Sequence, residues 1–225
     1  FVGNVHYFTL DAALVERLKA LAQSANATLY MVLVSAYAAL LSRHSRQDSV
    51  AVGSPIANRS RPKLEPLIGF FVNTLVLRAE FGDHPTGRAL LARMRQTCLD
   101  AYRHQDVPFE RLVEAIKPER NLSFSALFQA MFILQNQNDS TADLRIDDLR
   151  MATIPQQAAI SMFDLTLKLE ETAAGLSGEF EFNTDLFDEA TIARFVARYR
   201  MLLAGLVADP DCPVARIPLL DAAER

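Results

Sequence analysis

The segment that most constrains the fold is Leu127 to Gln135 (LFQAMFILQ), which is apolar on both faces that a strand would present. This pattern is typical of a strand in the centre of a sheet that is covered on both sides. Leu29 to Leu41 is a longer apolar run, interrupted by Ser35 and shorter than the ~20 residues that a membrane-spanning helix needs. We therefore expect a buried helix packed near a central strand, as in an α/β fold.

Other segments extend this sheet. Phe163 to Leu169 alternates apolar and polar residues, and the turn near Gly175 predicts that Leu176 to Phe182 folds back on it as an antiparallel hairpin at one side of the sheet. Ile68 to Arg78 is predicted to be a strand along its whole length, and Leu144 to Met151 a weaker one. The fold class is therefore α/β, with a mixed β-sheet sandwiched with helices.

Residues typical of helix ends place the helices. Asp11, Thr28 and Asp188 each precede an apolar helical pattern and are predicted N-caps. Pro85 is predicted to open a helix that carries Cys98 on its apolar face. A further helix is predicted to begin within His104 to Glu110 (HQDVPFE), with Asp106 as the N-cap and Pro108 in the first turn.

Charge and cysteine content exclude several functions. The 225 residues include 23 basic and 27 acidic side chains, a net charge of -4 without a basic run, so we expect no nucleic-acid partner. The two cysteines form no CxxC pair, which predicts neither a metal site nor a disulfide framework. We expect a cytoplasmic protein without a membrane segment. Because the chain begins with Phe1, we take it for part of a longer protein.

The polar residues suggest only a few candidate sites. Asn73 interrupts an apolar segment, so it either satisfies neighbouring backbone groups or lines the wall of a cavity. The four histidines are scattered without metal-ligand or triad spacing. An enzyme that uses His104 and Asp106 by itself is kept as an alternative, although both residues also fit the start of a helix.

Six motifs, in this order, resemble the C-terminal half of a nonribosomal peptide synthetase condensation domain. They are GSPIANR (Gly53 to Arg59), IGFFVNTLVLR (Ile68 to Arg78), HQDVPFE (His104 to Glu110), PERNLSFSALFQAMFILQN (Pro118 to Asn136), FDLTL (Phe163 to Leu167) and FNTDLF (Phe182 to Phe187). The resemblance covers nearly the whole chain. The final IPLLDAAER (Ile217 to Arg225) is similar to the segment that leads toward an adenylation domain.

The resemblance implies a chloramphenicol acetyltransferase-like lobe over residues 1–225, the second of two lobes that enclose a tunnel. In the family, an acceptor aminoacyl amine attacks a donor thioester, and both substrates are carried on phosphopantetheine arms of carrier proteins. The implied partners are the N-terminal lobe, peptidyl carrier proteins and an adjacent adenylation domain, with no cofactor or metal bound directly. This lobe would supply tunnel wall, bracing for the other lobe and carrier-docking surface.

The family's catalytic HHxxxDG motif is absent from the sequence, so no residue is assigned a catalytic role and the isolated chain is not expected to catalyse the reaction. Whether it counts as an enzyme is left open. The candidates for the tunnel wall are Asn73, Gln129 and Ser161. The residues assigned to structural motifs are Arg78, His104, Asp106 and Pro108.

One motif departs from the family pattern. RDxSRNPL is RNLSFSAL here, with Phe124, Ser125 and Ala126 in place of Arg, Asn and Pro. The form is nearer to domains that accept an L-configured donor. The alternatives are a lobe of a non-catalytic relative that recruits other proteins and a lobe of an epimerisation-type relative.

Overall fold

The computed structural model describes residues 2–59, 61–118, 125–135, 160–172 and 174–220. The strands are β1 (Gly3–Asp11), β2 (Ser49–Ile56), β3 (Asn73–Glu80), β4 (Ala130–Gln135), β5 (Leu165–Thr172) and β6 (Gly175–Asn183). The helices are α1 (Ala12–Ser24), α2 (Leu29–Ser45), α3 (Gly87–Arg103), α4 (Phe109–Ile116) and α5 (Glu189–Ala208). The predicted strand at Leu144 to Met151, Phe124 and the last five residues lie outside the described residues.

The described strands form one mixed sheet in the order β1-β6-β5-β4-β2-β3. Strand β4 is parallel to both neighbours, β2 and β5, and the remaining pairs are antiparallel. The predicted α/β class with a mixed sheet is confirmed. The predicted β5–β6 hairpin is also confirmed, but it lies inside the sheet, because β1 pairs with β6 on its other side.

Helix α2 forms the centre of the core, as its sequence predicts. The rings of Tyr30 and Tyr37 on α2 lie 5.4 and 6.0 Å from the ring of Phe132 on β4. The hydroxyl of Tyr199 on α5 donates to the carbonyl of Leu33, so the buried phenol is hydrogen-bonded. None of the described helices is by itself long and apolar enough to cross a membrane, and α1 with α2 would meet that test only as a pair bent by 103°.

The helix caps follow the sequence at three positions. Asp11, Thr28 and Asp188 accept hydrogen bonds from the backbone N–H three residues further along, at 2.9, 3.3 and 2.6 Å. The prediction for α3 is wrong by two residues, because Thr86 is its N-cap and Pro85 precedes the helix. Cys98 is buried in the core, as predicted.

The prediction that Ile68 to Arg78 is one strand is wrong in its first half. Strand β3 begins at Asn73, whose partner Ile56 is the last residue of β2. Beyond this pair β2 offers no further backbone groups, and Ile68 and Phe70 are almost fully exposed. A strand needs a hydrogen-bonded neighbour, so residues 68–72 form a loop despite their high β-propensity.

The prediction that Asp106 caps α4 is also wrong. The N-cap is Pro108, which has no side-chain acceptor. The N–H of Phe109, the first residue of the helix, donates instead to Oδ1 of Asn73 at 3.1 Å. A side chain from β3 therefore supplies the missing acceptor, and helix starts need such an acceptor because their first N–H groups have no partner within the helix.

Candidate functional site

Asn73 fastens the start of β3 to the turn between α3 and α4. Its Nδ2 donates to the carbonyls of Gln105 and Val107 at 2.8 and 2.7 Å. Its Oδ1 accepts from the N–H of Phe109 at 3.1 Å. Both donors of the amide and one acceptor site are thus used. These bonds link the motif IGFFVNTLVLR directly to HQDVPFE. The sequence left two roles open for Asn73, pairing with neighbouring backbone groups or lining the wall of a cavity, and these bonds support the first.

Asn73 also lines a surface cavity of about 320 Å³, together with Asp106, Pro108 and Glu110. Asn58 lines the same cavity, and its Oδ1 is buried without a hydrogen-bond partner in the part of the chain that the structure describes. The lining also includes the side chains of Asp106 and Glu110, and carboxylates accept hydrogen bonds. A tunnel role for Asn73 stays a prediction.

Gln129 lines a different and larger cavity, of about 600 Å³. It directly precedes β4, its Nε2 donates to the carbonyl of Ser125 at 3.1 Å, and its own carbonyl accepts from the N–H of Asp164 at 3.1 Å. Asp164, His44 and Phe195 contribute further to the lining. The cavity therefore lies where β4 and β5 begin, close to the end of α2 and the start of α5.

Two side chains in this larger cavity have shifted pKa values. Burial raises the pKa of the Asp164 carboxyl above its ordinary value. Burial, with a smaller contribution from the positive charge of Arg198, lowers the pKa of His44 to about 4. The imidazole is therefore neutral at pH 7, and its Nε2 lies 3.3 Å from Nη1 of Arg198. Sequence reasoning singled out neither residue as a site residue, and the only signal for Asp164 was its place in the FDLTL motif.

Ser161, the third tunnel candidate, is 1% exposed. Its hydroxyl donates to the carbonyl of Phe163, and the residue packs against β1, where a Cβ on Gly3 would lie 2.6 Å from the Ser161 nitrogen. Ser161 lines neither of the two cavities described above. The structure therefore brings no two of Asn73, Gln129 and Ser161 together in either cavity, and their shared role in a tunnel wall stays a prediction.

Of the residues assigned to structural motifs, Arg78 lies on β3, whereas His104, Asp106 and Pro108 lie in the short turn between α3 and α4. Arg78 on β3 is exposed and pairs with Glu80 at 2.7 Å, an exposed ion pair that contributes little stability. His104 is the C-cap of α3 and is exposed, as is Asp106. No hydrogen bond or ion pair between His104 and Asp106 is found in the described ranges. The alternative of a catalytic pair formed by these two residues therefore gains no support.

Cys98 is a core residue and not a nucleophile. Burial raises the pKa of its thiol to about 12, so the thiolate is not populated at neutral pH. Within residues 2–59, 61–118, 125–135, 160–172 and 174–220, no group of three or more His, Cys, Asp or Glu side chains could hold a metal ion.

An aromatic cluster connects these regions. The ring of Phe128 lies 5.8 Å from that of Phe109 on α4 and 5.2 Å from that of Phe163. Phe128 occupies the space above Gly53, where an added Cβ would meet a ring carbon at 2.2 Å. Four of the six sequence motifs thus meet at one packing contact, which no pattern along the chain locates.

Comparison with known proteins agrees with this arrangement. The family model described as Condensation domain matches residues 1–225. The chain is 46% identical to a linear gramicidin synthase protein of Brevibacillus parabrevis, over 99% of this chain and 4% of that protein. It is 41% identical to Malpinin synthetase of Mortierella alpina, over 100% of this chain and 3% of that protein. The chain thus spans only a small share of these relatives.

Solved structures show the same fold. A four-domain nonribosomal peptide synthetase, holo-AB3403 bound to AMP and glycine, superimposes with a TM-score of 0.90 at 23% identity, covering 98% of this chain and 18% of that one. At this identity the likeness shows the fold alone. The X-domain from teicoplanin biosynthesis superimposes with a TM-score of 0.89 at 25% identity, covering 97% of this chain and 50% of that one.

Proposed function

This chain belongs to the condensation-domain family of nonribosomal peptide synthetases, and we propose that it is the C-terminal half of a domain that forms peptide bonds. In the proposed reaction, the amine of an acceptor aminoacyl group attacks the thioester carbonyl of a donor. A C–N bond forms, the C–S bond breaks, and the donor's phosphopantetheine arm leaves as a thiol. Both substrates would arrive on carrier proteins in the cytoplasm.

The observation that carries this proposal is that the chain corresponds to half of a solved relative and lacks the catalytic motif. It covers 50% of the X-domain chain, and its sequence contains no HHxxxDG. We therefore assign the reactive histidine to an N-terminal half and a positioning role to this one. Such a role is substantial, because holding two reactants in place can contribute about 7 to 11 kcal/mol to catalysis.

Exposed apolar side chains in two parts of the surface support coverage by another part of the protein. Ile160 and Met162, shortly before β5, and Ile68 and Phe70, shortly before β3, are strongly exposed. Large exposed apolar patches are typical of interaction sites. We propose that the N-terminal lobe covers one or both of these groups, and that this chain also contributes carrier-docking surface and leads toward an adenylation domain.

The test compares the isolated chain with the complete condensation domain, each mixed with donor and acceptor carrier proteins loaded with aminoacyl groups. We expect amide product only from the complete domain, detected by intact-protein mass spectrometry of the acceptor carrier. Amide formation by the isolated chain that disappears in a folded His104→Ala variant would instead support the alternative of a self-sufficient enzyme.

A second candidate function is a platform that recruits another protein without catalysing condensation. It is favoured by one observation, the likeness to the structure of the complex of the X-domain and OxyB from teicoplanin biosynthesis, with a TM-score of 0.87 at 25% identity. The same assay separates the two functions. Amide formation by the complete domain would rule out a purely recruiting role, and its absence in a folded domain with loaded carriers would favour that role.

A further inference from the structure

The loop between β2 and β3 is arranged around one guanidinium group, that of Arg59. Nη1 of Arg59 donates to the carbonyl of Leu67 at 2.7 Å, and its Cζ lies 4.4 Å from the centre of the Phe71 ring. The same guanidinium lies within hydrogen-bonding distance of three more backbone carbonyls, those of Leu64, Glu65 and Gly69. One side chain thus contacts five of the eight residues 64–71.

An arginine is well suited to this role. Its guanidinium presents five N–H donors in a fixed plane and has no competing acceptor, so it can serve several carbonyls at once while its face rests on an aromatic ring. A lysine ammonium cannot reproduce this planar arrangement. Pro62 and Pro66 further reduce the freedom of the unfolded loop. The loop therefore has a defined shape although it belongs to neither a long helix nor a strand.

The loop has an unusual distribution of polar and apolar groups. One of its charged side chains, that of Arg59, points inward to the backbone, whereas Leu67, Ile68 and Phe70 are 48%, 104% and 91% exposed. Free surface loops rarely leave several large apolar side chains together in water. Hydrogen bonds to an inward guanidinium thus hold three apolar side chains outward, in positions fixed before any partner binds.

We propose that Arg59 is a positioning residue, which holds residues 64–71 in one conformation so that Leu67, Ile68 and Phe70 pack against the N-terminal half of the condensation domain. The second part of this inference, the docking, rests on the function proposed above. Its first part, the shaping of the loop, depends only on contacts within residues 59–71. Ordering the loop in advance would lower the entropy cost of bringing the two halves together.

The first arm of the test measures the shape of the loop in the complete condensation domain. The N–H groups of Leu64, Glu65 and Leu67 donate to backbone carbonyls inside the loop, so their hydrogen exchange reports its opening. Arg59→Ala and Arg59→Lys are both expected to speed exchange at these amides at least tenfold. Exchange in the core helix α2 should not change, because the hydrogen bonds of Arg59 lie within its own loop.

Arg61→Ala is the matched control for both arms. Arg61 belongs to the same loop and is exposed, and no hydrogen bond or ion pair of its side chain is found among the described residues. Its replacement therefore removes a positive charge from the loop without removing a contact to residues 64–71. Exchange at the three loop amides should stay within twofold of the wild type in this variant.

The second arm measures amide formation by the same variants with loaded carrier proteins. We expect kcat to fall at least tenfold for Arg59→Lys, with KM for either carrier within twofold of the wild type and no change for Arg61→Ala. Unchanged exchange in both Arg59 variants would overturn the inference, whatever the activity. Faster exchange with unchanged kcat would overturn the docking part. If the wild-type domain forms no amide, the proposed function fails, and the exchange data still decide whether Arg59 shapes the loop.

Discussion

Replacing Asn73 by alanine should loosen the attachment of the α3–α4 turn to β3 and leave the core intact. The change removes three hydrogen bonds, to Gln105, Val107 and Phe109. Each such bond contributes about 0.5 to 1.5 kcal/mol net, so the loss should be about 1.5 to 4.5 kcal/mol of local stability. Since about 1.4 kcal/mol corresponds to a factor of ten, the local opening equilibrium should shift about tenfold to a thousandfold.

The amide of Phe109 measures this directly, because its hydrogen-bond acceptor is Asn73 itself. Native-state hydrogen exchange of the complete domain should show faster exchange at Phe109 and Val107, and unchanged exchange in α2. Gln96→Ala is the control, because among the described residues the side-chain hydrogen bonds of Gln96, an amide on α3, go only to Asp100, four residues further along the same helix.

A second substitution sharpens the test. Asn73→Asp keeps an acceptor for Phe109 but replaces the two N–H donors by a carboxylate oxygen facing the carbonyls of Gln105 and Val107. That repulsion should raise the pKa of the new carboxyl in the folded state. The penalty of this variant is therefore expected to grow as the pH rises through that pKa and to shrink on acidification. If Asn73→Ala lowers amide formation while exchange at Phe109 stays within twofold, the side chain acts in the tunnel wall, and its role in attaching the α3–α4 turn to β3 is refuted.

Two further predictions concern the core and the larger cavity. Gly53→Ala should destabilise the domain by about 1 to 3 kcal/mol in urea unfolding, because its Cβ would lie 2.2 Å from the Phe128 ring. Combining it with Phe128→Leu should recover part of that loss, and strictly additive effects would contradict the reasoning. His44 has its pKa lowered from 6.5 to about 4, so the unfolded state takes up the proton first. Stability should therefore fall as the pH drops from 6.5 toward 4, by about 1 to 2 kcal/mol after allowing for partial exposure. His44→Gln should flatten this dependence; a slope equal to that of the wild type would contradict the assignment.

Features that depend on local hydrogen bonds and local periodicity could be predicted from the amino-acid sequence. The N-caps at Asp11, Thr28 and Asp188 bond to a backbone N–H only three residues away, so their side-chain chemistry is sufficient to predict them. The β5–β6 hairpin needs only a tight turn between two alternating segments. The α/β class and the family likewise followed from patterns that are read along the chain.

Features that depend on partners distant in sequence could not be predicted and became visible only in the folded chain. Strand β3 begins at Asn73 because its partner strand β2 ends at Ile56. The residues around Asn73 do not show where β2 ends. The acceptor at the start of α4 comes from Asn73, 36 residues before Phe109, and not from the nearby Asp106 that the local pattern favoured. Buried backbone groups need a hydrogen-bond partner. When a side chain distant in sequence supplies that partner, the local sequence shows that a backbone group is unpaired but not which side chain pairs with it.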